Sequence, residues 1–223
     1  MQGRHEIKHP ISLSDYYELR TRLRAVLKQD AHVGADGQYF IRSLYFDDLD
    51  DKALREKLDG VRDRDKYRIR FYNHDTSVIH LEKKSKRVDT CFKQSAPLTK
   101  EECERLIRGD TEWMREHPEP LVRELFRAME EGLRPRTIVD YVRDPFTYPA
   151  GNVRVTLDHH IRSGMRCIDF LNPKAVTVPV SPDTIILEVK WDNYLPDIVR
   201  DIVQVKDTKA TAFSKYAACR IFE

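Results

Sequence analysis

Apolar and polar residues alternate through Lys66–Tyr72: Tyr67, Ile69 and Phe71 share one side of an extended chain, and Lys66, Arg68 and Arg70 the other. Successive side chains of a strand point to opposite faces, so this spacing predicts a strand over a core. Similar patterns or strand-rich composition mark Tyr39–Phe46, Val78–Lys84, Thr137–Arg143, Val153–Asp158, Ala175–Val180 and Thr184–Trp191. Residues 1–10 read as a short strand ended by Pro10, and Asn73-His74-Asp75 is a hairpin turn.

Helical spacing appears between these runs. Leu19, Leu23, Val26 and Leu27 give one apolar face to a helix that begins at Ser12 or Ser14 and runs to about Lys28. Asp47 to Gly60 predicts a short helix stopped by glycine, and Thr99-Lys100-Glu101-Glu102 a capping box for a helix to about Arg108. Pro120 suits the first turn of a helix to Gly132, and the chain reads as helical from Asp197 onward. No internal repeat and no Pro/Gly/Ser linker divides the sequence, so the expected architecture is one α+β domain over residues 1–223.

The polar faces of the strands are charged. Arg4, Glu6 and Lys8 share a face, as do Arg154, Thr156 and Asp158, and Glu188 and Lys190; Glu82 and Lys84 flank the other side of Leu81. Charged residues make up 34% of the chain, against roughly 25% in typical soluble domains. One such strand is an ordinary solvated face. Five are a different matter: if the sheet closes into a barrel with helices over its apolar exterior, the charged faces line the interior. Two like charges about 4 Å apart repel by about 4 kcal/mol at an effective dielectric near 20, so converging cations need acids or a bound polyanion. Glu6, Glu82, Asp158 and Glu188 are too few to neutralise them, and a phosphate chain is the natural guest. A carboxylate or two among phosphates also suits Mg²⁺ or Mn²⁺, which Glu188 with Glu6 or Glu82 could hold. Arginine offers bidentate contact with phosphate and lysine a mobile charge, a set suited to phosphoryl transfer.

Rival signals are weaker. The total charge, 39 basic against 37 acidic residues, does not mark a general nucleic-acid binder. Arg62, Arg64, Lys66, Arg68 and Arg70 form a basic stripe, but Tyr67 and Phe71 fall on the opposite face, where they cannot serve as its stacking platform. His5-Glu6-Ile7-Lys8-His9 matches HExxH, a zinc motif that needs a helix, and Pro10 follows at once. His159-His160 has no third ligand nearby, and no Gly-x-Ser-x-Gly elbow surrounds Ser214. Cys91, Cys103, Cys167 and Cys219 contain no CxxC pair and read as free thiols of a reducing compartment; with no apolar leader at the N-terminus, a cytoplasmic location is expected. Tyr45, Phe46, Trp113 and Trp191 are expected in the core.

Eight segments occur in an order that resembles the VTC domain, the polyphosphate polymerase catalytic domain of the triphosphate tunnel metalloenzyme (CYTH-like) superfamily. They are Arg4-His5-Glu6-Ile7-Lys8, Ser43-Leu44-Tyr45-Phe46-Asp47, Lys66-Tyr67-Arg68-Ile69-Arg70, Leu81-Glu82-Lys83-Lys84, Tyr141-Val142-Arg143, Arg154-Val155-Thr156-Leu157-Asp158, Leu187-Glu188-Val189-Lys190 and Ser214-Lys215-Tyr216. The resemblance spans nearly the whole chain. It implies an antiparallel eight-stranded β-barrel with a charged lumen, flanked by helices, which transfers the γ-phosphate of ATP to inorganic polyphosphate with Mn²⁺ or Mg²⁺.

Carried over by position, Arg68, Arg70, Lys84, Arg143, Arg154 and Lys215 look like the catalytic cations. Lys8, Lys93, Tyr141, Lys190 and Ser214 join them as phosphate contacts, and Glu188, with Glu6 and Glu82, as the metal carboxylates. The hydrolase and cyclase branch of the superfamily has ExExK in its first strand, and Arg4 stands here in place of the first Glu. That departure argues against a two-metal hydrolase of that branch and toward the polymerase; a tripolyphosphate or nucleoside triphosphate hydrolase of the same fold and a non-catalytic polyphosphate-binding module are the alternative readings. Eukaryotic members carry added membrane domains that this sequence lacks, which leaves room for a separate membrane-protein partner.

Overall fold

The computed structural model describes residues 4–88, 90–180, 182–205 and 209–221. In chain order its elements are β1 (His5–Ile11), α1 (Leu13–Val26), β2 (Lys28–Gln29), β3 (Tyr39–Asp47), α2 (Lys52–Leu58), β4 (Arg64–Tyr72), β5 (Asp75–Arg87) and β6 (Thr90–Leu98). There follow α3 (Lys100–Ile107), α4 (Pro120–Glu130), β7 (Arg134–Tyr148), β8 (Val153–Ser163), β9 (Val178–Pro179), β10 (Ile185–Trp191), α5 (Asp197–Ile202) and α6 (Lys215–Arg220). The fold is α+β, an antiparallel sheet flanked by helices, as the alternation predicts. The chain forms two compact units: Met1–Phe40, Tyr141–Ile161 and Pro179–Phe213 in the first, and Ile41–Asp140, Arg162–Val178 and Ser214–Glu223 in the second.

In the first unit β10 lies between β1 and β8, both antiparallel to it, with Ile7 opposite Val189 and Val189 opposite Val155. Ile7, Val155, Leu157, Leu187 and Val189 therefore share one face, and that face packs on Tyr16, Leu19 and Leu23 of α1 and Val199 of α5. Each such apolar side chain buried contributes about 1.5–3 kcal/mol. Helix α1 starts where Ser12 predicts: its Oγ accepts from the Asp15 amide at 3.1 Å, and the Asp15 carboxylate accepts from the Ser12 amide at 3.0 Å. Val26 is exposed, and the apolar stripe ends instead in buried Leu27.

The second unit runs β3, β4, β5, β6 in antiparallel order. Asn73 and His74 both have positive φ, 49° and 59°, the geometry of a type I′ hairpin turn, so the predicted turn forms between β4 and β5. Leu44, Ile69, Leu81 and Ala96 stand opposite one another across the four strands, and all are buried. Leu121, Val122, Leu125 and Phe126 of α4 and Cys103 and Leu106 of α3 are buried with them. The Thr99–Glu102 capping box and Pro120 in the first turn of α4 are both present.

One strand is missing from the sequence expectations, and three expectations are corrected. Thr90–Leu98 is a strand, hidden from the pattern because its polar residues Lys93, Gln94 and Ser95 interrupt the alternation. Ala175–Val180 shrinks to β9, and the helix expected from Asp197 is two short helices separated by non-helical residues; parts of it, residues 206–208 and 222–223, lie outside the described residues. Trp113 and Trp191 are half-buried, not core, while Tyr45 and Phe46 are buried. The four cysteines are free thiols. Among the described residues no helix is long and apolar enough to cross a membrane.

Candidate functional site: two charged strand faces

In the first unit the residues facing away from the core are Glu6 and Lys8 of β1, Glu188 and Lys190 of β10, and Arg154, Thr156 and Asp158 of β8. The register sets Glu6 opposite Lys190 and Lys8 opposite Glu188, so each lysine meets an acid across the ladder and another along its own strand. Lys8 Nζ lies 2.6 Å from Glu6 and 3.7 Å from Glu188; Lys190 Nζ lies 3.4 Å from Glu6 and also pairs with Glu188. Burial alone lowers the pKa of Lys8, but Glu188 and Glu6 outweigh it and hold the ammonium well above its ordinary pKa.

Arg143 of β7 forms a bidentate pair with Asp158, at 2.5 and 2.7 Å, and its guanidinium lies 5.4 Å from the centre of the Tyr141 ring. Both Arg143 and Asp158 are buried. Burial opposes the charge on Arg143, and Asp158 more than restores it. Arg154 reaches Asp30 at 3.3 Å and the Tyr39 hydroxyl. Arg4 points instead to Asp192, at 2.8 Å.

In the second unit one carboxylate serves three cations. Glu82 takes Arg68 through Nε at 2.7 Å and Nη2 at 2.6 Å, Lys93 at 2.6 Å, and Arg70 more distantly at 3.9 Å. Burial would raise the pKa of this carboxyl, but Arg68, Arg70 and Lys93 together hold it far below the usual carboxylate range. Arg68 also donates to the Tyr45 hydroxyl at 2.8 Å, and Arg70 to Ser43 Oγ at 2.9 Å. Tyr45 is buried, yet Arg68 and Arg70 lower its pKa against that burial. Lys84 is exposed on the same face as Glu82, with Lys66 opposite it in the ladder. Ser214 caps α6, accepting from the Ala217 amide at 3.3 Å, and half-buried Lys215 begins that helix.

The structure thus gathers Glu6, Lys8, Glu188 and Lys190 into one cluster and Arg68, Arg70, Lys93 and Glu82 into another. The arginine braces Asp158 and Asp30, and the hydroxyls of Ser43 and Tyr45, complete the two sets. Asp158 stands out in the sequence by its alternation with Leu157; Asp30 and Tyr39 carry no sequence signal, because their link to Arg154 joins distant segments. Among the described residues no group of three or more His, Cys, Asp or Glu side chains could hold a metal ion. A divalent ion that takes most of its ligands from phosphate and water needs only one or two carboxylates. Glu188 and Glu6, whose oxygens each face a lysine, fit that need once phosphate draws those lysines; Glu82 faces two arginines and a lysine at once.

Residues 3–222 match the family model of the VTC domain, and the chain belongs to that family. No curated protein matches it. Among solved structures it is similar to a proposed adenylate cyclase of Bacillus halodurans, at 15% identity and a TM-score of 0.50 over 85% of this chain and 82% of that one. The PH1819 protein of Pyrococcus horikoshii OT3 aligns at 13% identity and a TM-score of 0.48, over 96% of this chain and 97% of that one. At these identities the likeness to the first is one of fold.

Proposed function

We propose that this chain is a metal-dependent polyphosphate polymerase that transfers the γ-phosphate of ATP to a growing inorganic polyphosphate chain. The observation that carries the reading is that lysines and arginines, braced by carboxylates, occupy the strand faces turned away from the core in both units. Family membership points the same way. The structural likeness to a proposed adenylate cyclase agrees with a fold used on nucleoside triphosphates.

Transfer requires a terminal phosphate oxygen of the chain to form a bond to the γ-phosphorus. The bond from that phosphorus to the β–γ bridging oxygen breaks, and its electron pair leaves on ADP. Little covalent work falls to the protein, and most of the rate comes from alignment and charge stabilisation. In the second unit Arg68, Arg70, Lys84 and Lys215, and in the first Arg143 and Arg154, are the cations suited to stabilising charge on phosphoryl oxygens, and the carboxylate braces fix Arg68, Arg143 and Arg154 before substrate arrives. Lys8, Lys93, Lys190, Tyr141 and Ser214 orient the phosphates. Mn²⁺ or Mg²⁺, held by Glu188 and Glu6, supplies further charge neutralisation when bound. The free thiols agree with work in a reducing compartment such as the cytoplasm.

The test is to incubate the purified chain with γ-labelled ATP and Mn²⁺ and resolve the products on a gel. A ladder of labelled chains longer than the substrate is expected. Orthophosphate release without elongation would replace the polymerase with a hydrolase, and binding without turnover would leave a polyphosphate-binding module.

A further inference from the structure

Lys66 shares the face of β4 that carries Arg68 and Arg70, and it stands opposite Lys84 in the ladder. Arg68 and Lys93 rest on Glu82, and Lys83, on the other face, pairs with Asp65 and Glu124. Lys66 differs: among the described residues no carboxylate lies within ion-pair distance of its ammonium. Its Nζ lies 5.3 Å from the centre of the Tyr216 ring. That ring is fixed, stacked on Tyr45 at 5.0 Å between centroids, with its hydroxyl donating to Asp47 at 2.5 Å and accepting from Arg220 at 2.8 Å.

The charged groups that face Lys66 are Arg64 of its own strand, Lys57 of α2, Lys84 of β5 and Asp47 at the end of β3. They are three cations against one carboxylate. Asp47 is already committed, since it accepts from the Ala53 and Leu54 amides as well as from Tyr216. A partly buried cation without a counterion is costly, and the geometry leaves the place of that counterion open to an anion.

We propose that Lys66 is a further phosphate-binding residue of the second unit, its ammonium taking from a bound phosphate chain the anionic partner that the fold withholds. This rests on the functional reading above. Burial, and then Arg64 and Lys57, push the Lys66 amine down to about 7, so near neutral pH a fraction of the molecules holds it uncharged. An arriving phosphate favours the ammonium, and the added proton comes from solvent. Phosphate capture above neutral pH therefore takes up a proton, and affinity falls as pH rises.

Binding of inorganic tripolyphosphate to the full chain, measured by calorimetry from about pH 6 to about pH 9, tests this by comparing the parent with Lys66→Arg and Lys66→Met. The arginine stays charged, so it reports every other source of pH dependence, including the ligand's own ionisation. Near pH 6 the parent and the arginine variant should bind alike. Above pH 7 the parent should fall away from it by about tenfold per pH unit, the slope of one linked proton. Lys66→Met should bind more weakly at low pH and run parallel to the arginine variant; should the latter fail to fold by circular dichroism, Lys66→Met supplies the reference slope. Parallel profiles for the parent and its reference, with binding intact, overturn the role of Lys66 and leave the functional reading standing. If neither the parent nor a folded variant binds tripolyphosphate at any pH, both fall.

Discussion

The two charged faces balance their cations differently. In the first unit Lys8 and Lys190 share Glu6 and Glu188, two acids for two lysines, and Arg143 forms a bidentate pair with Asp158. In the second, Glu82 is shared by Arg68, Arg70 and Lys93, and Lys66 has no acid within pairing distance among the described residues. The first face is near neutrality, and on the proposed function it would yield carboxylates to a divalent ion as phosphate engages its lysines. The second is short of anions, and on the proposal for Lys66 the ligand itself would supply the missing negative charge. One strand pattern therefore serves two electrostatic tasks, and the number of acids per cation separates them.

The largest expected effect lies in the balanced face. Asp158→Asn keeps the shape but leaves buried Arg143 without its counter-charge, and breaking such a pair costs about 3–5 kcal/mol of stability. Urea unfolding measures it. A loss below about 1 kcal/mol would show that Arg143 is sustained by water, and the one-to-one balance drawn for this unit would not hold.

Next comes Arg68→Ala in the anion-poor face, which should lower turnover by about 10²-fold or more, the scale of losing one charge-stabilising donor. Steady-state kinetics with ATP and polyphosphate check it. An unchanged kcat would remove Arg68 from the reaction. A smaller effect separates the acids themselves: Glu188→Gln should raise the Mn²⁺ concentration needed for half-maximal turnover by about tenfold, on the scale of about 1.4 kcal/mol for one lost ligand. Glu82→Gln should leave that requirement near the parent's while lowering turnover through looser Arg68 and Lys93. Equal metal shifts in the two variants would give Glu82 a metal role and erase the distinction between the faces.

Much of this was legible from side-chain period alone. The alternation in Lys66–Tyr72 set which residues of β4 turn to the core, and the register confirms it: Ile69 stands opposite Leu44 and Leu81, and Arg68 opposite Tyr45 and Glu82. Local chemistry marked the Ser12 and Thr99 caps and the Asn73-His74 turn, each decided within four residues. What sequence could not supply was pairing across distance. Nothing near Arg154 announces Asp30, and nothing near Tyr216 announces Asp47, since such contacts depend on which strands become neighbours. Strand β6 escaped because polar Gln94 interrupts the core-side row of Phe92, Ala96 and Leu98, so its place in the sheet is fixed by β5 more than by its own pattern.

The smallest effect tests whether charge balance, and not helix construction, distinguishes the units. Each contains one helix begun by a capping box: Ser12 with Asp15, and Thr99 with Glu102, where the Thr99 hydroxyl accepts from the Glu102 amide at 3.1 Å and Glu102 accepts from the Thr99 amide at 2.7 Å. Removing the hydroxyl leaves one helix-end amide without its partner, worth about 1 kcal/mol in either place. Ser12→Ala and Thr99→Ala should therefore lower unfolding stability by similar amounts and leave tripolyphosphate affinity unchanged, since neither hydroxyl contacts a cation of the charged faces. The Thr99 box has one added contact, His117 at 3.1 Å from Glu102, which keeps that carboxylate in place when the hydroxyl is gone and should make Thr99→Ala the milder of the two. Urea unfolding resolves the difference. A cap variant that changed phosphate affinity would show that the helices transmit to the charged faces, and the contrast between the units could no longer be assigned to their acids alone.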